Sequence, residues 1–385
     1  MKIAVGSVAL SIAVMLLAVA AGKGMQDKIR EKISAFSGHI LILPYNNNHS
    51  QLTLDPIPIR QDFYPHHPWS GVSNVAPYAS IGGLLRNRKD FEGIILKGTG
   101  PDYDWSVFRQ YMQRGKIPAY TGRGYNDSII VSEYLARRLA IDTGSKVYAY
   151  FLRPRAEKPL VRRFRVGGVY RTDFEDFDKT YIFGDLHQVQ RLYGWADTLT
   201  GGFQLLTRDF DHIDAIADRI NHDIDPRLRA LSIRQLYPYL FDWLDMFDFN
   251  IYLIIGILIL VSALNMAVVL LVMITERMRF IGILKTLGAT DSGIIRIFLI
   301  RAAQLIIRGL LIGNTLAIAL ILLQKKTGFL RLDPANYYVR TVPLEIRWEW
   351  FLGLNIFVLV SVLLLMLLPA AYVSRISPAK VMKYE

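Results

Sequence analysis

Four apolar runs divide this chain: residues 3–21, 251–274, 294–323 and 350–372. Each approaches or exceeds the roughly 20 residues needed to cross a bilayer. They predict transmembrane helices over residues 1–22, 249–275, 293–323 and 350–373. Residues 23–248 instead alternate short apolar and polar pieces, which predicts a large mixed α/β domain inserted between the first and second helices. Residues 39–43, 129–131, 146–152 and 164–170 are rich in β-branched and aromatic side chains and read as strands. Residues 132–140 read as a helix ending at the Asp142-Thr143-Gly144 turn. Residues 203–206 and 211–220 read as strand then helix, with Asp209 or Asp211 as the cap. Two lobes are expected, one nested within the other at about 109–159. From 231 to 274 the pattern is helical, so the domain should end in a stalk that runs into the second span. Tyr237, Tyr239, Phe241, Trp243 and Phe247 form an aromatic belt before that span. Tyr337, Tyr338, Trp348 and Trp350 form another before the fourth. Pro369 should kink or end the fourth span, and Ser377-Pro378 should open a short basic helix reaching Lys383.

Composition sharpens this outline. Of 385 residues, 52% are hydrophobic, and the mean hydropathy is +0.26. That is high for a soluble protein and low for one wholly within lipid, so a mixed architecture follows. The net charge of +12 reads as lipid-facing flanks; no basic stripe carries the stacking aromatics of a nucleic-acid surface. The absence of cysteine excludes disulfides, thiolate metal sites, a cysteine nucleophile and a lipidated N-terminal cysteine. Lys2, the first apolar run and Ala18-Val19-Ala20 also fit a cleavable secretory signal. The three later spans favour retention, and either way residue 23 onward lies outside the cytoplasm. The 276–296 link and the tail (Arg375, Lys380, Lys383) are basic, but so is the 324–349 loop, with Lys325, Lys326, Arg331, Arg340 and Arg347. Orientation therefore rests on the large domain following an exportable segment rather than on loop charge. Both chain ends, the 276–292 link and the 374–385 tail are then cytoplasmic.

The most informative stretch is the link, ERMRFIGILKTLGAT at residues 276–290. Met278, Ile281, Ile283, Leu284 and Leu287 alternate with Arg277, Arg279 and Lys285. An amphipathic piece joining two spans is placed to dock on another protein at the membrane surface and to pass that protein's movement into both helices. Gly288 suits a helix C-terminus, Thr290 or Asp291 can cap the next helix, and Glu276 has Arg277 and Arg279 within reach. In the third span Arg301, Gln304 and Arg308 share one face at i, i+3, i+7. Charge at that depth is costly. Either these residues line a bundle interior or contact lipid phosphates, or the arginines snorkel, as Arg296 should. Asn265 and Asn314 are placed to hydrogen-bond between helices.

Other polar clusters read as structural. Asp173, Glu175, Asp176 and Asp178 lack the glycine and distal glutamate of a calcium loop and read as a solvated or partner-facing acidic turn. His66-His67 has no further ligands nearby. Asp209, Asp211, His212, Asp214 and Asp218 read as capping plus an exposed helix face. There is no G-x-x-x-x-G-K-[ST] loop; Gly98-Thr99-Gly100 lacks the lysine, and neither H-E-x-x-H nor G-x-S-x-G occurs. No catalytic residue, metal site or cofactor is expected in this chain.

Several segments carry a resemblance: Gly38-His39-Ile40 after the first span, FEGIILKG at 91–98, residues 129–144, GGVYRTDFEDFD at 167–178, the 276–290 link and SRISPAK at 374–380. Over nearly its whole length the chain resembles FtsX/MacB-type ABC permeases, in particular the lipoprotein-releasing (LolC/LolE-like) branch. The resemblance implies four membrane helices, a periplasmic domain after the first, and pairing with a second permease subunit, identical or related. It implies a separate cytoplasmic ABC ATPase dimer that binds ATP and Mg and drives the permease mechanically. It also implies lipoprotein cargo, drawn from the inner membrane and handed to a periplasmic chaperone. On this resemblance Glu276, Arg277, Arg279, Ile281, Gly282, Ile283, Leu284, Lys285, Leu287 and Gly288 form the ATPase-coupling segment. Ile281, Ile283, Leu284 and Leu287 would fill a groove on the ATPase, and Arg277, Arg279 and Lys285 would meet acidic rims or phospholipid. A buried lipid anchor is worth about 0.8 kcal/mol per methylene, so extraction needs coupled ATP turnover. Small residues in the first span (Gly6, Ser7, Ala9, Ala13, Ala18) allow close helix approach or room for acyl chains. Two features depart from the family: relatives carry an amphipathic segment before the first span, and the third-span arginines are atypical. Alternatives are a MacB-like exporter, which usually carries its own ATPase, an FtsX-like regulator of cell-wall hydrolases, which has a smaller outer domain, and an ATPase-independent membrane-anchored binding or signalling protein.

Overall fold

The computed structural model describes residues 2–47, 52–53, 55–87, 90–121, 124–152 and 158–374. The expected 377–383 helix and the basic tail lie outside these residues. Two compact units form: Met1–Asp27 with Trp243–Arg331 and Thr341–Glu385, and Lys28–Asp242 with Leu332–Arg340. Helices α1 (Lys2–Ser37) and α7 (Pro238–Glu276) contribute to both.

The Lys28–Asp242 unit holds strands β1 (Ile40–Pro44), β2 (Ile57–Pro58), β3 (Val72–Asn87), β4 (Asp90–Thr99), β5 (Met112–Gly115) and β6 (Ser128–Ser132). Helix α2 (Glu133–Arg138), β7 (Lys146–Phe151), β8 (Leu160–Tyr170), α3 (Glu175–Asp178), β9 (Tyr181–Asp185) and α4 (Leu186–Tyr193) follow. Then come β10 (Leu199–Thr200), β11 (Gly202–Thr207), α5 (Ile213–Asp223), β12 (Leu228–Ser232) and α6 (Ile233–Leu236). A ten-stranded sheet runs β12-β1-β11-β3-β4-β9-β6-β8-β5, with β7 paired to β3 and β8. Ile40, Val75, Phe203 and Ile220 belong to one core, and Ile81, Val131, Phe151 and Ile182 to another. The second core draws on residues 79–192 and sits, in sequence, inside the first. The nested part is thus wider than 109–159, whose strands pair with flanking chain. The reason is β3: its first half pairs with β11 and its second with β7, so one long strand serves both cores. At Gly83 a Cβ would stand 2.6 Å from the Phe151 ring and 2.8 Å from Tyr150 O, which is why this crossing needs glycine.

Three boundaries differ from expectation. The first helix does not stop near 22: Met25, Ile29, Ile33 and Phe36 continue a buried helical stripe, and Gly38, at φ +69°, ends it after Ser37. Residue 231 lies in a strand, because β12 pairs with β1 along its length; helix begins at Ile233, with Ser232 and Gln235 forming a capping box. Tyr338 is no membrane belt residue. It stacks on Phe174 at 4.5 Å, its carbonyl accepts from Lys32 Nζ at 2.6 Å, and neighbouring Arg340 pairs with Asp173 at 2.7 Å.

The acidic clusters are consumed locally. Asp178 is buried and accepts from Thr172 N, Thr172 Oγ1 and Asp173 N, so the turn it closes is not solvated there. Desolvation lifts its carboxyl to about 6. Neither Asp209 nor Asp211 caps α5: position His212 carries no capping bond, and Asp209 accepts from Asp211 N and His212 Nδ1.

The other unit is built from the apolar parts of α1 and α7 with α9 (Asp291–Thr327) and α11 (Trp348–Ser374), joined by the short α8 (Met278–Thr286) and, through the outer unit, α10 (Pro334–Tyr337). All four long helices are apolar enough to cross a membrane. Val8, Ile12, Met15, Met266, Ile306 and Val358 share one core. The backbone of α11 passes through Pro369 without ending there. Gly309 and Gly313, four apart on α9, admit α1: a Cβ at Gly313 would stand 1.9 Å from Ile12 Cγ2 and 2.4 Å from Ala9 O. This small-xxx-small contact was legible as Gly309–Gly313 spacing and was missed. Lys23 pairs with Asp248 at 2.6 Å, and Arg347 with Asp27 at 2.8 Å.

Candidate coupling site

Between α7 and α9 the chain makes an elbow. Arg277 leaves helical geometry (φ −112°, ψ 16°) and separates α7 from α8. At the far end Leu287 N donates to Ile283 O at 3.1 Å and Ala289 N to Leu284 O at 2.9 Å. Gly288 lies between them at φ +91°, a left-handed position that favours glycine. Thr290 then caps α9, accepting from Gly293 N at 3.3 Å. Lys285 Nζ pairs with Asp291 at 2.8 Å and ties α8 to the start of α9.

The elbow is two-faced. Ile281 and Ala289 pack against the four-helix core. Phe280, Ile283 and Leu287 are 52, 59 and 79% exposed, and their spacing puts them on one face. Glu276, Arg277, Arg279 and Gly288 are exposed too, Leu284 and Lys285 are half-buried, and the space beyond Gly282 is open. The exposed ridge therefore differs from the sequence reading: Ile281 braces α8 from within, and Phe280 takes an outward place. Its signal was the 280/283/287 spacing, hidden because apolar residues occupy both faces of so short a helix.

Within the spans, Asn265 Nδ2 donates to Ser7 Oγ at 2.6 Å and Asn314 Nδ2 to Asn355 Oδ1 at 2.9 Å. Arg301 Nη1 donates to Gln304 Oε1 at 3.2 Å. Arg301, Gln304 and Arg308 are all exposed, so they do not line the interior of the bundle this chain forms.

The outer domain holds one polar feature the sequence reading passed over. Lys97, 3% exposed, donates to Phe36 O and Gln204 Oε1 and lies 4.7 Å from the Tyr78 ring centre. Phe36 O belongs to the last turn of α1, whose carbonyls lack helical donors, so Lys97 caps that helix. Burial pushes its ammonium down to about 7. A lone lysine inside the apolar FEGIILKG strand was the available signal.

Family comparison bears on both units. A model of the MacB-like periplasmic core domain matches residues 3–223, more than half of the chain, and one of the FtsX-like permease C-terminal domain matches 252–378. The chain belongs to the FtsX/MacB-type ABC permease family. The permease is similar to the lipoprotein-releasing system transmembrane protein LolC of Xylella fastidiosa, with 22% identity covering 98% of this chain and 92% of the relative. It is similar to LolE of Haemophilus influenzae at 21%, covering 97% and 92%, and to the ABC transporter permease YknZ of Bacillus subtilis at 20%, covering 96% and 91%. Among crystal structures, the extracellular domain of YknZ aligns with 50% of this chain and 98% of its own at 16% identity and TM-score 0.35. The periplasmic region of MacB from Actinobacillus actinomycetemcomitans aligns with 55% and 97% at 15% and 0.36. The permease is a multi-pass inner-membrane protein with its large domain in the periplasm. The elbow joins the end of α7 to the start of α9.

Proposed function

We propose that this permease couples ATP hydrolysis by a separate cytoplasmic ABC ATPase dimer to the extraction of lipoproteins from the inner membrane. The ATPase, with its ATP and Mg, docks on the Phe280–Ile283–Leu287 ridge. Its movement passes through α8 into α7 and α9, and along α1 and α7 into the periplasmic domain. A second permease subunit, identical or related, completes the membrane part, and a periplasmic chaperone receives the cargo. The observation that carries this reading is the ridge: three large apolar side chains left exposed on a helix braced from behind by Ile281. Exposed apolar groups clustered in this way mark a partner surface. Helix length supports the mechanical part. With 39 residues, α7 is about 58 Å long, nearly twice the roughly 30 Å hydrocarbon core. The names of the LolC and LolE relatives support the cargo class.

Two measurements test the reading. Mild-detergent purification should recover a Walker-motif ATPase with the wild-type chain and at least tenfold less with Leu287→Asp. Equal recovery rejects the docking surface. Depletion of the permease should retain lipoproteins in the inner-membrane fraction; an unchanged distribution removes lipoprotein release while leaving the ABC permease assignment standing.

A further inference from the structure

We infer that the groove between α9 and α11 on the cytoplasmic side of the membrane unit binds an anionic glycerophospholipid, with Arg296 holding its phosphate. The groove is lined by Leu299, Ile300 and Ala303 of α9 and by Val360, Leu363 and Leu367 of α11, with Arg296 at its mouth. The remaining lining residue, Leu364, is also apolar, so among the described residues Arg296 supplies the groove's only charge. The small side chain of Ala303 lies among larger apolar neighbours.

Arg296 stands five residues beyond Asp291, the first residue of α9, or about 8 Å up the helix axis. That places it near the headgroup level of the cytoplasmic leaflet, where the anion supplied by the surroundings is lipid phosphate. Its guanidinium is exposed and forms no ion pair or hydrogen bond with other described residues. Four other cations of the membrane unit are differently served. Arg347 borders a second groove with Leu16, Ile321 and Phe351, but it already pairs with Asp27 at 2.8 Å. Lys23 pairs with Asp248, and Lys285 with Asp291. Arg301 is engaged by Gln304. Arg296 thus combines a lone guanidinium with an apolar trough running from it into the bilayer. A planar fork of donors suits a phosphate bidentately, and the trough accepts an acyl chain.

The test is native mass spectrometry of the full chain, purified in its complex and exchanged into nanodiscs of mixed phosphatidylethanolamine and phosphatidylglycerol. Wild-type protein should retain phosphatidylglycerol about tenfold over its share of the bilayer, because the ammonium of phosphatidylethanolamine competes with Arg296 for the phosphate that both lipids carry. Arg296→Gln should retain both lipids without preference. Ala303→Phe, which fills the trough, should retain little of either. Both variants change lipid-facing positions, so their helical content and yield should match wild type. No enrichment in the wild type, or enrichment that survives Arg296→Gln, overturns the inference. So does efficient disulfide capture of a second subunit through Ala303→Cys in this cysteine-free chain, which would show protein rather than lipid in the groove.

Discussion

Lys97 shows how one side chain sets a measurable property of the periplasmic domain. An ordinary lysine titrates near 10.5, and burial lowers this one to about 7. Between those values the unfolded chain holds a proton that the folded chain lacks, so stability rises with pH across the window. The slope approaches about 1.4 kcal/mol per pH unit at mid-window. Lys32, lowered to about 8 chiefly by its own burial, adds to the rise at its upper end. Thermal unfolding of the full chain at pH 7 and 9 should therefore show a higher melting temperature at pH 9. Lys97→Met should shrink that difference without abolishing it, since Lys32 remains. An undiminished difference would mean that Lys97 is not the buried cation responsible. Asp178 acts at the acid end with the opposite slope. Its folded value is raised to about 6, so the folded state holds the extra proton between about 4 and 6, and stability falls as pH rises through that interval.

At the scale of elements, two close contacts define what α8 and α9 can tolerate. A Cβ at Gly313 collides with Ile12 and the Ala9 carbonyl, whereas one at Gly256 meets nothing within 4 Å. Gly313→Ala should destabilise the membrane unit by about 1–3 kcal/mol, the usual cost of overpacking, and Gly256→Ala should be near neutral; melting in detergent separates them. On α8 the two faces predict opposite outcomes from the same chemistry. Phe280→Asp should weaken ATPase recovery as strongly as Leu287→Asp and leave the melting temperature unchanged. Ile281→Asp should lower the melting temperature, because it puts a charge against the four-helix core. Helix α8 was legible in the sequence as an amphipathic piece between spans. Its outward ridge was not, since residues 280–284 are apolar at Phe280, Ile281, Ile283 and Leu284, and only packing against the bundle chooses between them.

For the whole molecule, the proposed route of force runs along helices shared by both units. Met246 lies in an exposed stretch of α7, and proline there removes one backbone bond and costs about 3 kcal/mol or more of helix. Met246→Pro should leave ATPase recovery intact while lipoproteins accumulate in the inner membrane. Normal release in that variant would show that α7 need not be unbroken to transmit movement.

Apolar runs long enough to cross a bilayer, a large mixed α/β domain between the first two, and the amphipathic elbow were all written locally, because hydropathy and helical period are properties of neighbouring residues. Tertiary structure decided what joins residues far apart. It set Lys97 on the end of a helix 61 positions earlier and Lys32 on a carbonyl 306 positions later, and it gave β3 to two cores at once. It also turned Phe280 outward and Ile281 inward. No local pattern encodes these outcomes, since each depends on which surface another segment brings alongside.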